Sequence, residues 1–340
     1  MRAGIYNPYL DTLGGGERYT MAVATTLVEK NYKVEVEWPD SSIKSKLQDR
    51  FGIDLTDIQF VDDIKRGDAY DLCFWLSDGS IPLLKARKNF LHFQVPFQKV
   101  GGLTLFNKMK LFRIDKVICN SFFTKQFIDK EFGVESVVVY PPIDTKKIKP
   151  LKKENLILSI GRFSQLLQSK RQDILIEIFK KLYDGGFKDW KLVLAGGTEV
   201  GVGGYLESLK KSSQGYPVRI IERPSFETVL NLYGRAKIFW SASGYGVDER
   251  TEPMKVEHFG ITVVESMAAG CVPVVYAAGG HKETVSGESG FLWKDKGKLQ
   301  EISSQLMTDD GLLKKISINA QKQSQTFGYD KFTKNFSSLL

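Results

Sequence analysis

The feature that most constrains the fold is an alternation of strand and helix patterns. In the first half of the chain, short runs rich in β-branched and aromatic residues alternate with helical or polar stretches. These runs are RAGIYN, KVEVEW, DLCFWL, KNFLHFQV and KVICNS. Alternation of this kind predicts a parallel sheet with helices on both faces.

The same alternation restarts after a segment rich in proline and lysine, at residues 140–153. This composition is typical of a surface connector, so we place the domain boundary there, with domains at 1–148 and 149–321. The strand runs of the second half are LILSIGRF, WKLVLAGG, VRIIER, KIFWSAS and CVPVVYAAGG. We therefore predict an α/β fold of two Rossmann-like, doubly wound domains. Since ligands bind beyond the carboxyl ends of such strands, we expect the site in a cleft where the two sets of ends face each other.

Composition narrows the class of protein. Hydrophobic content of 42% and charged content of 26% are typical of a globular protein. The longest apolar runs are too short to span a membrane, and the first residues do not resemble a secretory signal. Cys73, Cys119 and Cys271 form no C-x-x-C pair, which favours buried free thiols in a reducing compartment. We expect a soluble, cytoplasmic protein.

Positive charge is concentrated in the middle of the chain. Residues 85–149 carry 13 basic and 5 acidic side chains, whereas the whole chain has a net charge of +8. Such a stretch attracts lipid headgroups, phosphorylated substrates or nucleic acid, and a solvated lysine-rich face is the alternative. Residues 101–116, GGLTLFNKMKLFRIDK, would either lie on an anionic membrane or bury an apolar side in the core. The chain has no nucleic-acid recognition motif, so we expect no nucleic acid partner.

A first candidate site is the glycine run LGGGERYT, at residues 13–20. Glycines directly before a helix let the backbone approach a ligand and leave helix N–H groups pointing outward. The run is not a phosphate-binding P-loop, because no G-K-[ST] follows it. The alternative is a tight turn without a ligand.

A second candidate is GRFSQLLQSKRQD, which carries Arg162, Lys170 and Arg171 between a strand end and a helix. Fixed cations in this position neutralise the charge that a diphosphate leaving group develops when a glycosidic bond breaks. Surface residues without a ligand are the alternative.

The third candidate, VEHFGITVVESMAAGCVPVV, places seven residues between Glu257 and Glu265. If a helix begins near Ile261 or Thr262, its free N–H groups form an anion site. We expect Glu265 in the first turn, accepting hydrogen bonds from a pair of sugar hydroxyls, and Glu257 nearer the reacting sugar. A capping box formed by Thr262 and Glu265 needs no ligand and is the alternative.

Remaining signals are weaker. Gly279 and Gly280 in AAGGHKETV provide either a second set of backbone amides or a plain turn. His92, at a strand end, would contact the donor sugar or be structural. The chain has no D-x-D pair, and His92, His258 and His281 are too scattered for a zinc site that the sequence reveals, so we predict no metal requirement.

Taken together, these segments resemble glycosyltransferase family 4, retaining enzymes of the GT-B fold. GGGERYTMAVATTLVEKNYKVEV resembles the amino-terminal glycine loop and first helix of that family. SIGRF with SKRQDILIEIF resembles its Arg…Lys diphosphate clamp. YGVDERTEPMKVEHFGITVVESMAAGCVPVVYAAGGHKETV is similar to its E-x7-E region.

The resemblance implies a role for each matching residue. Arg162 and Lys170 would bind the diphosphate, Glu257 the transferred sugar and Glu265 the ribose. Backbone groups of Phe259, Gly260 and Ile261 would contact the sugar and phosphate. Gly15 and Gly16 would let the donor approach the backbone. Two departures leave the clamp cation open: the gap between Arg162 and Lys170 is long, and Arg171 stands where glycine is usual.

The implied reaction retains the anomeric configuration, with the acceptor hydroxyl attacking from the face that the diphosphate leaves. EHFGI also resembles mannosyltransferases that use GDP-mannose, which favours a GDP-sugar over a UDP-sugar and a glycan or lipid-linked acceptor. We further expect a C-terminal helix at about 322–340 to pack back on the first domain. The alternatives are a GT-B sugar-nucleotide epimerase or phosphorylase and an inactive sugar-nucleotide-binding protein.

Overall fold

The computed structural model describes residues 1–165, 168–198 and 203–340. The chain divides into two compact units. The first consists of Met1–Pro142 with Tyr329–Leu340, and the second of Ile143–Gly328. The division falls inside the connector at 140–153, and the C-terminal segment belongs to the first unit.

The first unit is built on a parallel sheet of seven strands in the order β3-β2-β1-β4-β5-β6-β7. The strands are β1 Arg2–Tyr6, β2 Lys33–Glu37, β3 Ile58–Val61, β4 Leu72–Leu76, β5 Lys88–Phe93, β6 Lys116–Cys119 and β7 Val137–Val138. Its helices, numbered along the whole chain, are α1 Gly15–Glu29, α2 Ile43–Phe51, α3 Leu105–Leu111, α4 Phe122–Phe132 and α12 Tyr329–Ser337.

The helix α12 completes the core of this unit. Its Phe332 and Phe336 are buried, and the Phe332 ring meets Tyr19 of α1 edge-on at 5.1 Å. Phe336 lies against Phe74 of β4 and Phe90 of β5. Aromatic pairs in such geometry add to the free energy of burial, so the last residues of the chain are part of the first unit's core.

The second unit repeats the plan with six parallel strands in the order β10-β9-β8-β11-β12-β13. The strands are β8 Glu154–Ile160, β9 Lys191–Gly196, β10 Val218–Glu222, β11 Ala236–Ser241, β12 Val272–Tyr276 and β13 Phe291–Trp293. The helices are α5 Gln172–Asp184, α6 Gly203–Ser212, α7 Phe226–Arg235, α8 Ile261–Ala268, α9 His281–Thr284, α10 Lys296–Thr308 and α11 Asp310–Ser324.

Each sheet reverses its strand order at one point. The reversal lies between β1 and β4 in the first unit and between β8 and β11 in the second. Loops that follow two such strands leave a crevice, and ligands of doubly wound sheets bind there. In the second unit, the loop after β8 begins at Gly161 and contains the predicted clamp residues. The loop after β11 begins at Ala242.

Two expectations about exposure are settled by the structure. Cys73, Cys119 and Cys271 are buried free thiols, and burial raises the pKa of each. The alternative that buries the apolar side of residues 101–116 holds only in part, because α3 has no buried residue, while Leu111 and Ile114 pack against the first unit's core. Among the helices in the described part of the chain, none combines the length and apolarity needed to cross a membrane.

Candidate functional site

The loop after β8 brings Lys170 to Glu257. A Cβ on Gly161 would lie 2.7 Å from Cγ of Lys170, so glycine is required where the lysine stem passes the strand end. The Lys170 ammonium donates to Glu257 Oε2 at 2.6 Å, and both side chains are 17% exposed. Two residues that are 87 positions apart in sequence therefore form one mostly buried ion pair.

The environment of Glu257 keeps this carboxylate ionised. Burial raises its pKa, but the charge and hydrogen bond of Lys170 outweigh this effect and lower the pKa to about 2. An opposite charge at hydrogen-bond distance outweighs desolvation in such a pair. The site thus holds a fixed negative charge beside a fixed positive one.

The loops after β8 and β11 also enclose a cavity of about 870 Å³. Three cationic side chains contribute to its lining, Arg162, Arg171 and Lys255, together with the ring of Tyr245. Among the described residues that line it, the only carboxylate is that of Glu252, which pairs with Lys255. Because the cavity opens at the point where the sheet order reverses, it lies where this kind of fold binds ligands.

Arg171 is held away from Glu257. Its Nε and Nη2 donate to Asp173, its Nη1 donates to the Tyr245 carbonyl at 3.2 Å, and its guanidinium lies 5.4 Å from the Tyr245 ring centroid. The Asp173 hydrogen bond raises the pKa of Arg171. The backbone φ of Arg171 is 47°, in the left-handed region that favours glycine. Of the two neighbouring cations, Lys170 is the one that reaches Glu257.

The helix α8 begins at Ile261, as expected, behind an N-cap at Gly260 with φ 101°. The predicted capping box is wrong, because Thr262 lies inside the helix and does not occupy the N-cap. Glu265 is the fifth helical residue and lies in the second turn, so its predicted place in the first turn is also wrong. The local polar sequence T-x-x-E would place the N-cap at Thr262, whereas the structure has it at Gly260, two residues earlier. Phe259 is buried just ahead of it, edge-on to Phe327.

A tyrosine that the sequence did not single out orients Glu265. The hydroxyl of Tyr233, at the end of α7, donates to Glu265 Oε2 at 3.0 Å. Glu265 is 7% exposed and Tyr233 is fully buried. A hydrogen bond to an ionised group is stronger than a neutral one, so this contact fixes the carboxylate before any ligand arrives.

The glycine pair at 279–280 forms a close-packed turn. A Cβ on Gly279 would lie 2.1 Å from the Glu257 carbonyl oxygen, and one on Gly280 would lie 2.4 Å from Cα of Phe259. The amide of Gly279 donates to Glu249 Oε2, and that of Gly280 donates to the Glu257 carbonyl. Both amides are thus used within the protein, which favours the plain turn over a second set of ligand-binding amides.

The histidine after this turn, His281, is a second residue that sequence reasoning missed. Its Nδ1 donates to the Tyr276 carbonyl at 2.9 Å, so Nε2 carries the lone pair. Nε2 is buried and has no hydrogen-bond partner in the described part of the chain. The ring edge faces the α8 N-cap, with Cδ2 lying 3.3 Å from where a Cβ on Gly260 would be. Burial lowers the pKa of His281, so the ring is neutral near pH 7 despite the nearby Glu257 charge.

In the first unit, Gly15 and Gly16 open α1 behind an N-cap at Gly14. A Cβ on Gly16 would lie 2.3 Å from Gln94 Oε1, so the Gln94 side chain packs directly against the backbone at Gly16 and would have to move for a larger residue. Glu17 accepts from the Gly14 amide at 2.7 Å and stabilises the helix start. At Gly16, the group that approaches the backbone closely is therefore the Gln94 side chain of the protein itself.

His92 lies inside the core of the first unit. It is fully buried, stacks on the Tyr19 ring with centroids 4.1 Å apart, and donates from Nδ1 to the Ile118 carbonyl at 3.0 Å. Burial lowers its pKa to about 3, so the ring is neutral. This position gives His92 a packing role, and its contact with a donor sugar stays a prediction.

Metal-binding side chains do not converge in the described residues: no group of three or more His, Cys, Asp or Glu side chains there could hold an ion. The charges gathered at the second unit's strand ends are instead the cations Arg162, Lys170 and Arg171 with the carboxylates Glu257 and Glu265.

Two doubly wound parallel sheets with this set of residues define the class: a GT-B glycosyltransferase fold. Solved structures of the same fold include a glycosyltransferase from Rickettsia africae ESF-5, with a TM-score of 0.78 and 19% identity over 99% of this chain and 97% of that one. Anabaena HepE in complex with UDP has a TM-score of 0.77 and 18% identity, covering 99% of both chains. The predicted fold class is confirmed.

The model of the family "Glycosyl transferases group 1" matches residues 142–323, more than half of the chain. The chain belongs to this family.

Among curated relatives, the GDP-Man:Man(3)GlcNAc(2)-PP-Dol alpha-1,2-mannosyltransferase of Dictyostelium discoideum is 28% identical over 221 residues, 61% of this chain and 42% of the relative. The protein of the same name from Kluyveromyces lactis is 30% identical over 158 residues, 42% of this chain and 26% of the relative. The matches thus span less than half the length of these relatives.

Proposed function

We propose that this protein transfers a hexosyl group from a nucleoside diphosphate sugar to a glycan or lipid-linked acceptor, with retention of configuration and without a bound metal. The observation that carries the proposal is the ion pair of Lys170 and Glu257 just ahead of the α8 N-terminus. We infer that Lys170 and the helix amides meet the diphosphate, while Glu257 accepts hydrogen bonds from hydroxyls of the sugar.

The chemical task is to stabilise a departing diphosphate. As the bond between the anomeric carbon and the phosphate oxygen breaks, its electron pair moves to that oxygen, and Arg162 and Lys170 offset the growing negative charge. The amides of Phe259, Gly260 and Ile261 add the positive end of the α8 dipole. The acceptor hydroxyl then attacks from the same face and gives its proton to the departing phosphate oxygen.

The two glutamates hold the donor on either side of the diphosphate. Glu257, ionised and partly buried, accepts hydrogen bonds from the transferred sugar. Glu265, fixed by Tyr233, accepts from the ribose hydroxyls. Arg171 lines the neighbouring cavity and supplies a further cation. For Gly15, Gly16 and His92 of the first unit, the donor-binding role that the family resemblance implies is part of the proposal.

The donor we favour is a GDP-sugar, with mannose as the transferred hexose. Support comes from the curated relatives, whose names specify GDP-Man. Anabaena HepE, which shares only the fold, was solved with UDP and with UDP-glucose, so a UDP-sugar is the alternative. A thermal-shift panel of GDP, UDP and ADP ranks them, because a ligand at 100 times its dissociation constant stabilises the protein by about 2.7 kcal/mol. Turnover that persists after treatment with EDTA would support metal independence, and loss restored by Mg²⁺ would contradict it.

The function itself is tested by removing the clamp cations. We expect Arg162→Ala and Lys170→Ala each to lower turnover by about 10²–10³-fold, the scale for losing one preorganised charge-stabilising group. Lys188→Ala, which removes an exposed lysine of the same unit, is the control and should keep full activity. Near-normal turnover in both clamp variants would contradict the proposal. Conversion of the donor without an acceptor, or dependence on inorganic phosphate, would favour the epimerase or phosphorylase instead.

A further inference from the structure

The helix α3 and its flanks form an apolar surface that the first unit leaves open. Leu105 is 76% exposed, Phe106 and Met109 are each 66% exposed, and Phe112 is 98% exposed. Leu103 adds a fifth apolar side chain at 55% exposure. We call these five residues the α3 surface. Contiguous apolar patches of this kind on a folded protein mark an interaction site.

The segment that carries the α3 surface is anchored to the fold. Glu131 of α4 accepts hydrogen bonds from the backbone amides of Lys99, Val100 and Gly102, at 2.9, 2.9 and 3.1 Å. A side chain on Gly102 would lie 2.3 Å from the Glu131 carbonyl oxygen, so the chain packs closely against α4 there. The exposed side chains therefore project from a held backbone.

Within residues 99–116 the charges are almost all positive, whereas the cavity beside α3 is also lined by the acids Glu37, Asp63 and Asp78. Residues 99–116 contain five cations and one acid, Asp115; the cations are Lys99, Lys108, Lys110, Arg113 and Lys116. The Lys110 ammonium lies 4.3 Å from the Phe106 ring centroid. Phe112 and Arg113 also share a recess of about 370 Å³ with Lys85 and Arg87. Apolar side chains that are interleaved with lysine and arginine are the pattern of a segment that lies in an anionic lipid interface.

We propose that the α3 surface docks onto an anionic lipid bilayer, with its apolar side chains in the acyl boundary and its cations among the headgroups. Charge complementarity favours an anionic occupant, and exposed apolar side chains interleaved with the cations fit an anionic bilayer, which offers headgroups and an acyl boundary together. The proposal goes beyond glycosyl transfer and does not depend on it.

Docking has a consequence for a neighbouring cavity. Phe106, Met109 and Lys110 also line a cavity of about 760 Å³, whose other side includes the stacked rings of Tyr6 and Trp75 at the ends of β1 and β4. A docked α3 holds this cavity at the level of the headgroups. If the proposed function holds, the polar head of a membrane-borne acceptor is within its reach.

Co-sedimentation with vesicles tests the docking. The whole chain should pellet with vesicles of phosphatidylcholine and phosphatidylglycerol at low salt, and should bind pure phosphatidylcholine vesicles much more weakly. High salt should weaken the binding, because surface charges are screened. Lys108→Glu with Lys110→Glu should weaken it at least fivefold for each cation lost, since one lysine near such a surface contributes about 1 kcal/mol. Leu105→Ser with Phe112→Ser should weaken it at least tenfold, through the lost burial of two large apolar groups.

Matched changes in the second unit serve as controls. Ile318→Ser removes a side chain that is 43% exposed, and Lys188→Glu reverses an exposed charge; neither should alter vesicle binding. All variants should keep the wild-type thermal shift with nucleotide, which reports folding and the donor site separately from docking. Failure to bind anionic vesicles, or binding that the α3 variants leave unchanged, would overturn the proposal. A wild-type dimer that the α3 variants convert to monomers would also overturn it, because the surface would then bind a second copy.

Discussion

At the scale of single residues, the site depends on how Lys170 and Glu257 set each other's charge. Glu257 is ionised at a pKa of about 2 because Lys170 outweighs the cost of burial. The free energy of this pairing is present above the ordinary carboxyl pKa and is lost as pH falls toward 2. Wild-type activity should therefore show no acidic limb due to Glu257 between pH 5 and 7.

Replacing Lys170 by glutamine should expose this dependence. In Lys170→Gln, burial is no longer opposed by the ammonium, so the pKa of Glu257 should rise above its ordinary value. We expect kcat/KM to fall as pH decreases below about 6, in addition to the general loss of rate. Steady-state kinetics from pH 4.5 to 8 measure this pH dependence of kcat/KM. Arg162→Ala is the control, since it removes a cation but not the partner of Glu257; a parallel acidic limb in that variant would argue against the assignment.

The contact of Tyr233 with Glu265 leads to a second prediction. Tyr233→Phe keeps the ring and removes only the hydroxyl that donates at 3.0 Å. A hydrogen bond to a charged group contributes about 1.5–3 kcal/mol. Without that hydroxyl, Glu265 loses one of the contacts that orient it toward the ribose, so affinity for a nucleoside diphosphate should fall at least tenfold in titration calorimetry.

Tyr216→Phe is the matched control for this variant. It removes a surface hydroxyl that bonds to Asp184 and should leave the affinity unchanged. Equal affinities in Tyr233→Phe and wild type would mean that Glu265 needs no such support.

Sequence patterns locate charged residues but not their partners. Glu257, Lys170 and Arg162 stand at strand ends that the pattern of strands predicts. Tyr233 and His281 were not singled out, because their roles come from the approach of α7 and of the 279–280 turn to α8. Such contacts depend on tertiary packing and leave no periodic signal in the sequence.

At the scale of elements, the start of α8 decides where its amides point. Gly260 adopts φ 101°, and a Cβ there would lie 3.3 Å from His281 Cδ2. Gly260→Ala should lower the free energy of unfolding by about 1–2 kcal/mol, the cost of a left-handed conformation for a residue with a side chain. It should also weaken diphosphate binding. Urea denaturation and calorimetry measure the two effects.

Gly311→Ala provides the comparison, because Gly311 lies in the first turn of α11 without a positive φ. Its stability should be equal to or slightly above that of wild type, since alanine is the better helix former. A Gly260→Ala protein as stable as this control would contradict the role given to the N-cap.

Elements differ in how well the sequence predicts them. The parallel strands were predictable because strands buried on both faces read as continuous apolar runs. The exposure of α3 was not, since an amphipathic segment has the same pattern whether its apolar side meets a core or a membrane. The T-x-x-E sequence gave a wrong cap, because the backbone conformation at Gly260 overrides that local signal.

At the scale of the whole molecule, two buried neutral histidines make folding depend on pH. Burial lowers the pKa of His92 to about 3 and lowers that of His281. The unfolded chain therefore binds more protons than the folded one below about pH 6.5, so stability should fall as pH decreases. For His92 the slope should approach about 1.4 kcal/mol per pH unit well below pH 6.5, and His281 should add to it in the same direction, measured by urea denaturation between pH 5 and 6.5.

His92→Phe separates this effect from other titrations, because it keeps an aromatic ring against Tyr19. Whatever its absolute stability, the slope with pH should drop by the contribution of one histidine. An unchanged slope would show that His92 titrates alike in the folded and unfolded states.

The central claim is that Arg162, Lys170 and the α8 amides bind one diphosphate. Its most direct test is the ratio of affinities for a nucleoside diphosphate and its monophosphate, with the base that ranks first in the thermal-shift panel, measured by calorimetry. Wild type should favour the diphosphate at least tenfold, and Arg162→Ala should lose most of that advantage while keeping its affinity for the monophosphate. A ratio that is the same in both proteins would contradict the claim.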